Sequence, residues 1–171
     1  MKHLDLASLN SLKPFPLYSY ADMAMRHWKC AVDNRNGDIE LHLIGIIGDY
    51  ELAIEQMLRF ILTRTSGLSR AHQYSHNVWA LACDIDLQGR ERYFHLLCRY
   101  SAYYLDGLYE AESTEERQAL YDFFRDDEVF NQTDELLYVL YTEAQDVARV
   151  AKDAAGNGKT NVSGINKMNL F

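Results

Sequence analysis

Proline is almost missing from this chain: its 171 residues hold two, Pro14 and Pro16, and none follows. A proline inside a helix removes a hydrogen bond and clashes with the preceding turn, so the long stretch after Pro16 is open to helices. Cysteine is scarce as well. Cys30, Cys83 and Cys98 are odd in number, far apart and without a C-x-x-C pair, which excludes a disulfide framework and predicts three reduced core thiols in a cytoplasmic protein. No uninterrupted apolar run approaches the roughly 20 residues that span a bilayer. The opening "MKHLDLASLN" carries Asp5 early and no long apolar stretch, so neither a membrane span nor a signal peptide is expected. Glycine-rich phosphate loops, the G-x-S-x-G elbow and zinc-ligand spacings are missing too.

What is present suits one globular domain. The chain is 48% hydrophobic and 25% charged, and its length supports a sizeable core. The net charge of −8 opposes indiscriminate binding to nucleic acid. That charge is unevenly placed. Between Arg59 and Arg99 six arginines face three acids, whereas between Asp106 and Glu135 eleven acids face two arginines. A locally basic centre in an acidic protein suits an anion such as a phosphate; solvated helix faces are the plainer explanation.

Hydrophobic periodicity organises most of the chain. Residues 1–17 lack it and are expected to form an extended arm. In "YSYADMAMRHWKCAV", Tyr20, Met23, Ala24, His27, Trp28 and Ala31 share one helical face. After the breaker "DNRNGD", Asp38 is placed to cap a long helix over residues 39–65, whose stripe is Leu43, Ile47, Tyr50, Ile54, Leu58 and Ile61. Its first part is apolar nearly all round, which predicts a central position. Gly45 and Gly48 there spell G-x-x-G, expected to let a neighbouring helix approach closely. "SHNVWALACDIDLQG" reads as a short helix capped by Ser75, and "RERYFHLLCRYSAYYLDGLYEAE" as the next, with Tyr93, Leu97, Tyr100, Tyr104 and Leu108 buried. "STEERQALYDFF" carries a capping box, Ser113 with Glu116. A last helix over about 131–154 shows Leu137, Leu140, Ala144, Val147 and Ala151 on one face, and residues 155–171 read as a flexible tail. Strand signals are nearly absent. The prediction is an all-α, up-and-down bundle of five to six helices spanning 18–154.

A bundle can build a metal site from Glu-x-x-His pairs on facing helices. No such pair occurs: Glu91 and His95 are four apart, and Glu51 and Glu55 lie one turn apart with no second helix offering matching ligands. No metal and no cofactor is expected. What remains is chemistry with histidine as acid or base and arginine as a fork for phosphate. Arg70 with His76, and Arg90 with His95, are the suggestive pairs.

Three ordered stretches resemble the HEPN (higher eukaryotes and prokaryotes nucleotide-binding) family over roughly residues 18–150. "GDYELAIEQMLRFIL" resembles its second long helix, with Glu55 on the pattern's Glu, Gln56 where Lys is usual and Arg59 on the second cation. "SHNVWAL" resembles the "tHdLxxL" that opens the following helix, with His76 on the His and Leu81 on the last Leu. "YSAYYLDGLYEAES" resembles the Tyr-rich helix end, with Tyr109 on the Tyr but Leu108 and Glu110 replacing Arg and Pro. The resemblance implies a homodimer that binds a nucleotide or RNA in a groove between helices two to four. Its expected ligand-binding residues here are Glu55, Arg59, His76, Arg99, Tyr103, Tyr104 and Tyr109, with Arg64 as a further phosphate contact. It also implies a bacterial toxin–antitoxin or defence setting. Two alternatives remain. One is a metal-independent endoribonuclease using Arg90 with His95 or Arg70 with His76 across a dimer; the leucines after His95 speak for the non-nuclease branch. The other is a protein–protein module docking a nucleotidyltransferase-like partner.

Overall fold

The computed structural model describes residues 4–37, 39–67, 76–85, 87, 89–103 and 114–160. These form seven α-helices: α1 (Leu6–Ser11), α2 (Tyr20–Arg35), α3 (Ile39–Thr65), α4 (Val78–Asp84), α5 (Phe94–Ala102), α6 (Thr114–Phe124) and α7 (Asp127–Thr160), with a 3₁₀ turn over Arg90–Tyr93 before α5. No strand occurs among the described residues. The all-α bundle expected from periodicity is therefore what forms, and no helix of the described residues is long and apolar enough to cross a membrane.

Helix α3 is the axis of the bundle, packing against α2, α7, α4 and α5. Its whole predicted stripe, Leu43 to Ile61, is buried, and so are Ile46, Ala53, Met57 and Leu62 on its other sides. A helix apolar on several faces can only be satisfied by neighbours on several faces. From α2 come Ala24, Trp28, Ala31 and Val32, and from α7 Phe130, Leu136, Leu137, Leu140 and Ala144. Met23, expected on the buried face of α2, is 36% exposed.

The N-terminal segment departs from the extended arm. Asp5 caps α1 by accepting from the Ser8 amide at 2.8 Å, and Leu9 is fully buried. Phe15 meets the rings of Phe60 and Tyr141 edge-on. The Lys13 carbonyl accepts from the Tyr141 hydroxyl at 3.2 Å and the Gln145 amide at 3.1 Å. Residues 1–17 look aperiodic because their buried groups come from one helical turn and one proline-flanked phenylalanine, too few to form a pattern.

Other boundaries shift for local reasons. Asn77 caps α4, its side chain accepting from the Ala80 amide at 2.9 Å; Ser75, the expected cap, lies outside the described residues, as do Asp38 and Ser113. Helix α4 stops at Asp84 and α5 starts at Phe94, because Gly89 turns left-handed at φ 71° and a 3₁₀ turn follows. Asp126 accepts from the Glu128 amide at 2.9 Å and starts α7 at Asp127 rather than near 131. That helix runs through Thr160, so residues 155–160 are not a tail. The glycines of G-x-x-G do not mark a close approach: a Cβ built on Gly45 or Gly48 would meet nothing within 4 Å. The cysteines are all free, but Cys30 and Cys83 are exposed and Cys98 half-buried rather than in the core.

Candidate functional site

Glu51, Glu55 and Arg59 stand four residues apart on α3, a spacing that stacks side chains along one helix face. That face is turned inward: the three residues are 1%, 2% and 7% exposed. Arg59 Nε donates to Glu55 Oε1 at 2.6 Å. The other oxygen, Oε2, lies 2.8 Å from His76 Nδ1. His76 is brought there by the turn into α4. It holds a left-handed backbone at φ 52° directly before the Asn77 cap, not the first helical position expected for it. A non-glycine residue in that region is uncommon and marks a position its surroundings over-determine. Its side chain keeps 30% exposure at the edge of the cluster.

Glu51 completes the group. One oxygen from each carboxylate and a ring nitrogen of His76 all lie within 4.8 Å of one another. Both Glu51 oxygens are buried without a hydrogen-bond partner among the described residues. Burial first, and the Glu55 carboxylate second, push the Glu51 pKa from its ordinary 4.5 up to about 9, with Arg59 opposing. At neutral pH Glu51 is therefore a protonated, neutral acid beside an ion-paired one. Donors of this kind, two carboxylates and an imidazole, are the oxygen and nitrogen set that zinc and related divalent ions accept. Spacing along single helices could not disclose it, because His76 arrives from a turn 21 residues beyond Glu55.

A second buried acid lies across the bundle. Asp134 on α7 accepts from Trp28 Nε1 at 2.8 Å and the Tyr50 hydroxyl at 2.9 Å, and Arg35 Nη2 lies 3.0 Å from its other oxygen. Burial raises its pKa against the opposing pull of Arg35 and these hydrogen bonds. The network ties α2, α3 and α7 together with every partner internal, which suits a structural tie.

A cleft of about 530 Å³ opens where the chain enters α2 and passes the end of α3, lined by Tyr18, Ser19, Tyr20, Met23, Phe60, Thr63 and Arg64. Its volume falls within the ordinary range for small-ligand sites. Exposed Arg64 carries its guanidinium 5.3 Å from the centre of the Phe60 ring. Tyr18 is 85% exposed and left-handed at φ 61°. The Thr63 hydroxyl is buried without a hydrogen-bond partner among the described residues. The nearby acid Asp22 is engaged by the Tyr18 amide at 3.1 Å and by Arg26 at 3.0 Å.

Of the residues expected to bind ligand, the structure gathers Glu55, Arg59 and His76. Tyr103 is turned inward instead: it is 2% exposed, its hydroxyl donates to the Ile44 carbonyl at 3.0 Å, and its ring meets Phe124 edge-on. It offers no open face for stacking. Arg99 is exposed and lies over the Phe123 ring at 5.4 Å. Tyr104, Tyr109 and Arg70 fall outside the described residues, as does the side chain of Arg90. His95 is exposed, with its ring edge-on to Phe94. Comparisons with family models, curated proteins and solved structures returned no match.

Proposed function

We propose that this chain is a HEPN-like helical binding module that takes a nucleotide, or a short single-stranded RNA segment, in the cleft between the start of α2 and the end of α3. The observation that carries this reading is Arg64 standing beside the exposed Tyr18 and half-buried Tyr20 side chains in one cleft. A guanidinium forks onto phosphate oxygens, and aromatic side chains stack on bases with about 1–3 kcal/mol per base. The net charge of −8 disfavours a long polyanion and favours a ligand with few phosphates. The meeting of Glu55, Arg59 and His76 supports the HEPN resemblance, although Arg59 is occupied by Glu55 and the phosphate contact falls to Arg64.

The test is fluorescence anisotropy with labelled mononucleotides and a short single-stranded RNA pool, on the wild-type chain, Arg64→Ala and Tyr18→Gly. A hydrogen bond to a charged group contributes about 1.5–3 kcal/mol, so Arg64→Ala should weaken binding by about 10- to 100-fold. Tyr18→Gly should weaken it while leaving the fold intact, because glycine accepts the left-handed backbone. Unchanged affinity in both variants, or no binding by the wild type, would reject the cleft. Gel analysis of the same RNA, with chelator present, reads out metal-independent cleavage.

A further inference from the structure

The buried acid pair on α3 has a feature that the proposed binding function does not use. Glu51 places two oxygens in the interior with the Glu55 carboxylate beside them but no hydrogen bond of good geometry among the described residues, and a poorly satisfied buried polar group is costly enough to call for an occupant. Next to it, the donors are already converging: His76 Nδ1 and Glu55 Oε2 are 2.8 Å apart, and one oxygen of each glutamate and a ring nitrogen of His76 all lie within 4.8 Å of one another. In a tetrahedral site with bonds of about 2.1 Å the donor atoms stand about 3.4 Å apart. The contact between His76 and Glu55 must open slightly from 2.8 Å, a movement that side-chain torsions of the glutamate and the half-buried histidine can supply.

We propose that Glu51, Glu55 and His76 form a binding site for a borderline divalent transition ion such as zinc. The ion sits between the two carboxylates and His76 Nδ1, displacing the proton of Glu51 to solvent and replacing the contact between His76 and Glu55, while the imidazole carries its proton on Nε2. Arg59 stays on Glu55 Oε1, where it orients the ligating carboxylate as outer partners of metal ligands do. Three protein ligands leave a fourth position for water, the coordination that open zinc sites share. His76, alone of the three ligands, is more than marginally exposed, so an ion enters from its side. The site is separate from the Arg64 cleft, and no residue belongs to both.

The experiment is zinc titration of the full chain, stripped with chelator and desalted, against a chromophoric competitor. A parallel cobalt titration is read by visible absorption. The wild type is expected to take one equivalent of zinc and to give a cobalt d–d spectrum without a thiolate charge-transfer band. Glu51→Gln keeps the size of the buried side chain, and His76→Asn keeps a residue that tolerates the left-handed backbone. Loss of an outer partner alone costs about 10- to 100-fold in affinity; loss of a ligand in either variant should cost about 100-fold or more, with helical circular dichroism retained. Absence of stoichiometric zinc binding overturns the proposal. So does equal affinity in the wild type and both variants, and so does a thiolate band, which would assign the metal to the exposed cysteines.

Discussion

Replacing Glu51 with glutamine should stabilise this protein at neutral pH, although it alters one of the most buried polar residues of the bundle. In the unfolded chain Glu51 ionises near 4.5; in the fold its pKa is raised to about 9 by burial and by Glu55, with Arg59 opposing and His76 on the far side of Glu55. A carboxyl whose folded pKa lies above its unfolded one holds its proton more tightly in the fold. Its contribution is fully present below pH 4.5 and is lost as pH rises through 9. At pH 7 the loss spans two and a half pH units, about 3 kcal/mol at about 1.4 kcal/mol per unit. This is a large share of the roughly 5–15 kcal/mol that holds a domain together. Glutamine is neutral at every pH and can donate to the Glu55 carboxylate. Urea denaturation in chelator-containing buffers from pH 5 to pH 8 should show the wild type losing about 1.4 kcal/mol more per pH unit than Glu51→Gln, and the variant should be the more stable at pH 7. Parallel pH profiles, or a less stable variant at pH 7, would refute the assignment of a neutral buried acid.

Asp134→Ala removes the acceptor shared by Trp28, Tyr50 and Arg35. It leaves a nearly buried guanidinium unpaired and should cost about 3–5 kcal/mol in chemical denaturation. Leu9→Ala should cost about 2–5 kcal/mol, since Leu9 is fully buried in the core; an extended, detached arm would give no change. Gly45→Ala should add about 0.5–1 kcal/mol by lowering the entropy cost of a mid-helix glycine, because a Cβ there meets nothing. A lower melting temperature for that variant would restore the idea of a close helix approach at Gly45.

The helices were legible wherever burial recurs over several turns. The six-residue stripe of α3 is buried throughout, and Leu137, Leu140 and Ala144 behave likewise on α7. Short elements held by one or two contacts were not legible, as α1 and Phe15 illustrate. The site was half legible. Glu55, Arg59 and His76 came from ordered resemblance, and Glu51 stood out only as a second acid one turn away. Its burial could have been suspected from its place beside Tyr50 and Ile54 on an apolar seam. Asp134 carried a similar signal: Phe130, Leu137 and Tyr141 extend one buried face through its position. The cleft had no signature, because Tyr18 and Arg64 lie 46 positions apart in the chain, and only the packing of α2 against α3 unites them.

The bonds from Tyr141 and Gln145 to the Lys13 carbonyl span 128 and 132 residues. They also set a timetable. During synthesis at about 5–20 residues per second, the first helix and the proline-flanked phenylalanine behind it wait roughly 6–26 s for α7, the surface they dock on. Closure of such a long loop comes late and carries its entropy cost before any reward. The bundle thus completes itself by joining the segment around Lys13 to a helix made more than a hundred residues later. A nascent chain arrested before residue 140 should expose the greasy side of α1 to chaperones.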